Sequence, residues 1–135
     1  MPESERYTAI LGSDPAEIAR VRAEIQRIAE RHGFGSRAGD VVLALDEILA
    51  NAQEHGRAPV AVRAWADGRL VIEVSDVGNG FDRARVWSTH PPEPLGTRGR
   101  GLWIARQLTD WVEIEVDAEG TRVRIELSHD PHIGA

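Results

Sequence analysis

The segment from Val41 to Ala52 limits the possible folds of this chain more than any other stretch. Its apolar side chains recur at helical spacing and cover much of the circumference of the predicted helix: Val41, Val42, Leu45, Ile48, Leu49 and Ala52. A helix with so much apolar surface is largely buried, so the rest of the chain must supply the elements that cover it.

A polar stripe runs along the same helix. Glu47, Asn51 and His55 follow one another at intervals of four residues, so their side chains project in nearly the same direction. An unpaired amide in an apolar setting costs about 1 to 3 kcal/mol, and a charge costs more. The stripe therefore either faces solvent as an ordinary polar surface or meets a specific partner, and the helix alone does not distinguish the two.

The composition narrows the class of protein. A chain of 135 residues is enough for one domain, and we expect residues 1–135 to form it. The absence of cysteine excludes disulfides, thiol nucleophiles and thiolate zinc sites. The net charge of −6 argues against a nucleic-acid partner. The longest apolar run is too short to cross a membrane and no apolar leader opens the chain, so we expect a cytoplasmic protein.

The first third of the chain predicts a strand and two helices. Residues 7–11 form a short strand candidate. Asp14 precedes Pro15 and is followed by Glu17, an acidic variant of the capping box, so a helix is expected from here to about Arg31. Ser36 can cap the second helix, which carries the polar stripe.

Two strands, residues 60–66 and 70–76, are predicted to form a hairpin. A three-residue loop keeps the apolar side chains on one face and pairs Ala66 with Leu70, Ala64 with Ile72, Val62 with Val74 and Val60 with Asp76. In this register Asp76 points inward at the end of a core strand. A carboxylate in that position requires a hydrogen-bond donor.

Two glycine-rich segments follow, and each has two readings. The run from Asp76 to Phe81 either forms an ordinary surface turn or brings the backbone close to a ligand. The run from Gly96 to Gly101 precedes a periodic helix that contains Leu102, Ile104, Ala105 and Leu108. It is either a flexible loop or an anion site made by backbone N–H groups with Arg98 and Arg100.

The last two strands are predicted to form a hairpin around a turn at Glu119 and Gly120. The inner pairs expected are Val112 with Leu127, Ile114 with Ile125 and Val116 with Val123, and the outer pairs are Glu115 with Arg124 and Asp117 with Arg122. Thr121 then lies on the inner face, where its hydroxyl needs a partner. His129 and His132 can bind a metal in principle, but residues 128–135, like residues 1–6, are expected to be loose tails.

The order of these elements predicts an α+β fold. We expect a two-layer sandwich in which a mostly antiparallel mixed sheet carries the helices on one face. The polar groups without an obvious partner then share the boundary between the two layers.

Three motifs in this order resemble the GHKL, or Bergerat, ATP-binding fold of gyrases, histidine kinases and related ATPases. The run from Glu47 to Gly56, EILANAQEHG, is similar to the family's N box. The run from Asp76 to Phe81, DVGNGF, is similar to its first glycine box, and Gly99 to Leu102, GRGL, to its second. Gly120 and Thr121 match a further position in the closing hairpin. The chain is most similar to the stand-alone bacterial anti-sigma factor serine kinases.

The resemblance implies a role for each matched residue. Asn51 binds Mg²⁺ and Asp76 binds the adenine amino group, with Thr121 close by. Gly78 and Gly80 pack against the ATP, and Gly99, Gly101 and Leu102 open the phosphate-binding helix. Residues 82–98 form the lid over the nucleotide, and Arg98 or Arg100 contacts the γ-phosphate; the spacing does not say which. Glu47 is the general base, while His55 is read as a structural residue.

The implied activity is that of an anti-sigma factor with ATP-dependent serine kinase activity. Such proteins sequester a sigma factor, phosphorylate an anti-anti-sigma protein of the STAS type and often form homodimers. The segment from Met1 to Arg6 is too short for the phosphoacceptor helices of a histidine kinase. The alternative is a module that switches a partner by ATP occupancy without phosphoryl transfer. A small-molecule ATPase is a third reading, for which no substrate pocket is identifiable.

Overall fold

Five strands and three α-helices make up the described part of the chain. The computed structural model describes residues 4–12, 14–55, 57–77, 100–116 and 120–128. The elements, in chain order, are β1 (Glu5–Leu11), α1 (Pro15–Arg31), a 3-10 helix (Gly35–Arg37), α2 (Ala38–His55), β2 (Arg57–Ala66), β3 (Arg69–Val77), α3 (Arg100–Leu108), β4 (Trp111–Val116) and β5 (Gly120–Ser128). Within these ranges no helix is long and apolar enough to span a membrane.

The strands form one sheet in the order β1-β2-β3-β5-β4, and every described pair is antiparallel. The side chains on one face of the sheet pack with the helices in a single core, so the sheet and the helices form the two layers of an α+β sandwich. The central strand β3 is buried at every position from Leu70 to Val74. The predicted fold class is therefore confirmed.

The sheet has two ends, which are named here by one residue each. Leu11, Asp76, Val116 and Thr121 lie at one, which we call the Asp76 end; Glu5, Arg69, Trp111 and Ser128 lie at the other, which we call the Asp110 end.

Helix α1 begins where the sequence predicts. The Asp14 side chain accepts a hydrogen bond from the Ala16 N–H at 2.9 Å, and Pro15 occupies the first turn. The Glu17 carboxylate accepts from the Gly12 N–H at 3.2 Å, so it ties the end of β1 to the helix. One face of α1, with Val21, Ile25, Ile28 and Ala29, is buried.

Helix α2 is the buried centre of the helical layer. Ser36, the predicted cap, lies within the 3-10 helix that leads directly into α2 at Ala38. The apolar positions of α2 are almost fully covered: Val41, Ala44, Leu45, Ile48, Leu49 and Ala52. Each large aliphatic side chain buried in this way contributes about 1.5 to 3 kcal/mol. The helix packs against α1, α3, β2 and β3, which accounts for its apolar circumference.

The β2–β3 hairpin has the predicted register in the part that lies toward the Asp110 end. Ala66 pairs with Leu70, Ala64 with Ile72 and Val62 with Val74. Closer to the Asp76 end the pairing shifts between Arg57 and Ala61. Gly68, at φ 100°, supplies the left-handed turn residue.

The predicted register of the last hairpin is wrong by two residues. The observed pairs are Val112 with Ile125, Ile114 with Val123 and Val116 with Thr121. A shift of two residues leaves every side chain on its predicted face, so the apolar pattern fits both registers. The charged residues also find partners in both registers. In the structure Arg124 pairs with Glu73 of β3 at 3.2 Å instead of with Glu115, and Glu115 pairs with Arg122 at 3.4 Å.

Three residues assigned to loose tails belong to the sheet. Glu5 and Arg6 are part of β1, and Ser128 ends β5. The Glu5 carboxylate accepts hydrogen bonds from Arg31 and contacts His32 Nε2 at 2.8 Å, so the start of β1 is held against the end of α1. The Ser128 N–H donates to Asp110 Oδ2 at 2.7 Å.

Candidate functional site

Asp76 and Thr121 are direct neighbours at the Asp76 end of the sheet. They form one register pair between the central strands β3 and β5. Both face the helical layer, as predicted, and only 8% of Asp76 and 3% of Thr121 is exposed. A carboxylate and a hydroxyl are thus held side by side, about 5 Å apart at their Cα atoms, below the helices.

The second half of α2 lies at the same end of the sheet. The helix ends at His55, and β2 begins two residues later at Arg57, which pairs with Val77, next to Asp76. Asn51, one turn before the end of α2, is half-buried. Asn51 and Asp76 are therefore brought to one end of the molecule although 25 residues separate them in sequence.

Two buried polar atoms of this region have no hydrogen-bond partner among the described residues. They are Nδ2 of Asn51 and Oγ1 of Thr121. A buried polar atom left in this condition costs about 1 to 3 kcal/mol. A ligand with hydrogen-bonding groups in this space would remove that cost.

Glu47 and Asp46 are adjacent carboxylates with different surroundings. Asp46 Oδ1 forms an ion pair with Nε of Arg22 at 2.7 Å, which joins α2 to α1. Glu47 is half-buried and, within the described ranges, takes part in no ion pair. It precedes Asn51 by one turn on the same side of α2, so its carboxylate is available next to the amide.

Helix α3 packs against α2, and the contact between the start of α2 and the end of α3 indicates that the two helices run antiparallel. Nη2 of Arg37, just before α2, donates to the Leu108 carbonyl at the end of α3 at 3.2 Å. Nine residues of helix span about 13 Å, so the first turn of α3 reaches the level of about Glu47. The positive end of the α3 dipole thus points toward the region of Glu47 and Asn51.

Gly120 has a steric function that the sequence did not reveal. A Cβ atom at this position would lie 1.9 Å from the Asp76 carbonyl oxygen and 2.9 Å from its carbonyl carbon. Only glycine therefore lets β5 approach β3 closely at the Asp76–Thr121 pair. The predicted turn at Glu119 and Gly120 concealed this role, because Gly120 is already part of β5.

Arg37 is a second residue that sequence reasoning missed. Its Nη1 contacts Asp110 Oδ2 at 2.8 Å and its Nη2 binds the Leu108 carbonyl. The Arg37 guanidinium and the Ser128 N–H hold the pKa of the Asp110 carboxyl below its usual range. Arg37 fixes the end of α3 to the start of α2, and no local motif signals a contact across 73 residues of sequence.

Several predicted site residues lie outside the described residues. These are Gly78, Gly80, Arg98, Gly99 and the predicted lid at residues 82–98. The side chains of His55, Arg100 and Leu102 are likewise outside them. Gly101, predicted to precede the helix, belongs to its first turn, because α3 begins at Arg100. The described residues contain no cluster of three or more His, Cys, Asp or Glu side chains suited to a metal ion.

Comparison with known proteins gives a family match over most of the chain. The family model described as histidine kinase-like ATPase domain matches residues 11–127. The serine-protein kinase RsbW of Bacillus licheniformis is 27% identical over 120 residues, a match that covers 77% of this chain and 74% of that protein. RsbW of Bacillus pumilus gives the same figures.

Solved structures share the fold. The structure of the RsbU and RsbW domains of Rv1364c from Mycobacterium tuberculosis matches with a TM-score of 0.66 and 25% identity over 92% of this chain. This chain spans 32% of the length of that structure. The histidine kinase domain of a blue-light activated kinase from Erythrobacter litoralis matches with a TM-score of 0.57 and 23% identity, over 83% of this chain and 63% of that chain.

Proposed function

Because this chain belongs to the family of histidine kinase-like ATPase domains, we propose that it is an ATP-dependent protein serine kinase of the anti-sigma factor type. Its kinase-like fold implies ATP as the nucleotide, and similar proteins bear the name serine-protein kinase RsbW. The proposed acceptor is a serine of a STAS-type anti-anti-sigma protein, and the proposed second partner is a sigma factor.

The available carboxylate of Glu47 is the observation that carries the proposal. The adjacent carboxylate of Asp46 is held in an ion pair by Arg22. Glu47 has no such pair among the described residues, and it lies one turn before Asn51. A carboxylate in this condition is able to accept the proton of an attacking serine hydroxyl.

The residues of the Asp76 end fit a magnesium–nucleotide complex. The side-chain amide of Asn51 offers one oxygen to Mg²⁺, which usually keeps few protein ligands and several phosphate or water oxygens. The Asn51 Nδ2 and Thr121 Oγ1 atoms, which lack partners among the described residues, can donate to such a ligand. The buried carboxylate of Asp76 is proposed to accept a hydrogen bond from the adenine amino group.

Asn51 and Glu47 have different roles in the proposed phosphoryl transfer. When bound, Mg-ATP supplies the γ-phosphoryl group and neutralises the charge on its phosphates. Asn51 holds the complex in place, and Glu47 orients the serine hydroxyl and accepts its proton. A positioned general base of this kind contributes about a hundredfold to ten-thousandfold in rate.

The glycine boxes and the lid complete the proposal. Gly99 and Gly101 would leave backbone N–H groups at the start of α3 open to the phosphates, helped by Arg98 or Arg100. Gly78 and Gly80 would let the backbone approach the nucleotide, and residues 82–98 would close over it. The orientation of α3, with its first turn near the level of Glu47, supports this assignment.

A phosphorylation assay with two adjacent variants tests the proposal. The protein is incubated with Mg-ATP and an anti-anti-sigma protein of the STAS type, and phosphoserine on that protein is measured by mass spectrometry. Glu47→Gln should retain ATP binding within a few-fold and lower the rate of phosphoserine formation about a hundredfold or more. Asp46→Asn, which changes the neighbouring carboxylate, should keep most of the activity.

Two results would contradict the proposal. A Glu47→Gln variant as active as the wild type would exclude Glu47 as the general base. The other is ATP binding by the wild type without any phosphoprotein; with a nucleotide-dependent change in partner affinity, it would identify an occupancy switch instead.

A further inference from the structure

The face of the sheet turned away from the helices carries an arginine-rich groove. Registers across the sheet place Arg6 of β1 opposite Trp65 of β2, and Thr8 opposite Arg63. A groove of about 460 Å³ opens between these strands and the centre of the sheet. Its lining is Arg6, Tyr7, Thr8, Arg63, Ala64, Trp65, Asp67, Glu73, Arg122 and Arg124.

The floor of the groove is a charged cluster that is already satisfied. Glu73 is buried, with 6% of its side chain exposed, and it pairs with Arg124 at 3.2 Å and with Arg63 at 3.8 Å. The guanidinium carbons of Arg63 and Arg124 lie 5.9 Å and 5.4 Å from the centre of the Trp65 ring. This cluster fixes the arginines and gives the groove a defined shape.

The charge of the groove is opposite to that of the whole chain. Four arginines and two acidic residues line it, whereas the chain carries a net charge of −6. Arg122 is neutralised by Glu115 and Arg124 by Glu73. Arg63 has 60% of its side chain exposed and reaches Glu73 only at 3.8 Å, and Arg6 forms no ion pair within the described ranges.

Arg6 and Arg63 therefore present two positive charges side by side. They are diagonal neighbours on β1 and β2, with the exposed Thr8 beside them. Like charges at this spacing on a sheet repel each other unless an anion bridges them. Guanidinium groups bind carboxylates in a planar, often bidentate geometry, and an adjacent hydroxyl adds a donor.

We propose that this groove is a docking site for an acidic, extended segment of a partner protein, whose carboxylates pair with Arg6 and Arg63. The strand β1 lies at the edge of the described sheet, so such a segment can run along the groove beside it. A nucleic acid is a poorer occupant, because the Trp65 ring is already covered by guanidinium groups and the chain is acidic as a whole. The site lies on the opposite face of the sheet from Glu47 and Asn51 and does not depend on phosphoryl transfer.

Binding of a defined acidic peptide tests the docking site. The probe is a fluorescein-labelled peptide in which glutamate alternates with serine, followed by fluorescence anisotropy and by ¹H–¹⁵N NMR spectra of the labelled protein. Binding should shift the resonances of β1, β2 and the Trp65 indole, and should weaken as salt is added. Arg6→Glu with Arg63→Glu should reduce affinity about tenfold or more.

Control variants distinguish specific binding in the groove from non-specific electrostatic attraction. Arg106→Glu makes the same charge change as Arg6→Glu alone, at an exposed position of α3 that does not line the groove, and should leave peptide affinity unchanged. Arg6→Glu alone, which removes no ion pair among the described residues, should lose several-fold and keep the unfolding midpoint of the wild type. A peptide of the same length and pattern with lysine in place of glutamate should not bind.

Four outcomes would overturn the proposal. The glutamate peptide does not bind the wild type, or it binds the double variant as tightly. A single-stranded oligonucleotide displaces it and binds more tightly than the peptide does. The wild type self-associates through this face, as shown by sedimentation and by loss of the dimer in Arg6→Glu with Arg63→Glu, which would identify a second copy as the occupant.

Discussion

The two ends of the sheet treat polar groups in opposite ways. At the Asp110 end, polar side chains find partners within the chain. Arg37 bonds to Asp110 and to the Leu108 carbonyl, Asp110 accepts from the Ser128 N–H, and Glu5 joins Arg31. These contacts tie α1, α2 and α3 to the strands below them.

At the Asp76 end, buried polar groups come together but do not satisfy one another fully. The Asn51 Nδ2 and Thr121 Oγ1 atoms have no partner among the described residues, and Glu47 forms no ion pair there. Each unsatisfied atom destabilises the fold, because an apolar residue of the same shape would pack there without the loss of a hydrogen bond. We therefore infer that the Asp110 end stabilises the fold and that the Asp76 end binds a ligand, and each of the following substitutions tests that division.

Gly120→Ala should have the largest effect. The new Cβ would meet the Asp76 carbonyl oxygen at 1.9 Å, and a backbone atom cannot rotate away as a side chain does. We expect the free energy of unfolding to fall by about 3 kcal/mol, and ATP binding to be lost as β5 is displaced from Asp76. Urea denaturation and calorimetric titration with ATP measure the two effects.

Gly39→Ala is the matched control, because a Cβ there meets no atom within 4 Å. Because Gly39 is an exposed position of a helix, alanine there should raise the free energy of unfolding by about 0.5 to 1 kcal/mol. Equal stability of Gly120→Ala and wild type would show that the close approach of β5 to β3 is not required.

Asn51→Leu should separate binding from stability. Leucine keeps the approximate shape and removes the amide whose Nδ2 has no partner in the described part of the chain, so the free energy of unfolding should rise, by up to about 1 kcal/mol. The affinity for ATP should fall about a hundredfold in the presence of Mg²⁺, which is about 2.7 kcal/mol, and less in its absence.

Gln53→Leu, at an exposed position of the same helix, is the control and should leave ATP affinity unchanged. If Asn51→Leu lowered stability and kept the Mg²⁺-dependent gain in ATP affinity, Asn51 would be a structural residue.

Asp110→Asn tests the other end through pH. The pKa of Asp110 is lowered in the folded state, first by Arg37 and then by the Ser128 N–H, so its contribution is present above the unfolded pKa of about 4. This stabilising contribution is lost as the pH falls through the pKa of Asp110 in the folded protein, because the wild-type carboxyl is then as neutral as the asparagine amide. We expect Asp110→Asn to cost about 1 kcal/mol at pH 7, a value reduced by the partial exposure of the pair, and almost nothing in strong acid.

Asp67→Asn removes an exposed carboxylate at the same end of the sheet and should leave the free energy of unfolding at pH 7 close to that of the wild type. A stability difference between Asp110→Asn and wild type that stayed constant down to acid pH would mean that the Arg37–Asp110 pair does not stabilise the fold.

Local patterns predicted most of the fold because they were consistent with one another. The Asp14 cap, the β2–β3 register and the apolar circumference of α2 each have one arrangement that buries the apolar residues. The predicted register of the last hairpin was wrong because a slip of two residues leaves every side chain on the same face of the sheet. What decides it is the pairing of β5 with β3 and of Arg124 with Glu73, and both are tertiary contacts.

The candidate site was predictable in part for a related reason. The inward direction of Asp76 and Thr121 follows from alternation along their strands, and the structure places them side by side. The requirement for glycine at position 120 was not predictable, since it depends on how closely β5 approaches the Asp76 carbonyl. The partnership of Arg37 with Asp110 likewise needs the antiparallel packing of α2 and α3.

Thr121→Val should have the smallest effect, but its sign is informative. The Thr121 hydroxyl is buried without a partner among the described residues, so a methyl group in its place should raise the free energy of unfolding by about 0.5 to 1 kcal/mol and weaken ATP binding several-fold. Thr109, at the Asp110 end, is also buried, but its hydroxyl donates to the Ala105 carbonyl at 2.6 Å. Thr109→Val should therefore lower stability by about 1 kcal/mol and leave ATP affinity unchanged. The same change of side chain is thus expected to act with opposite signs at the two ends, and a loss of stability in both variants would contradict a division between them.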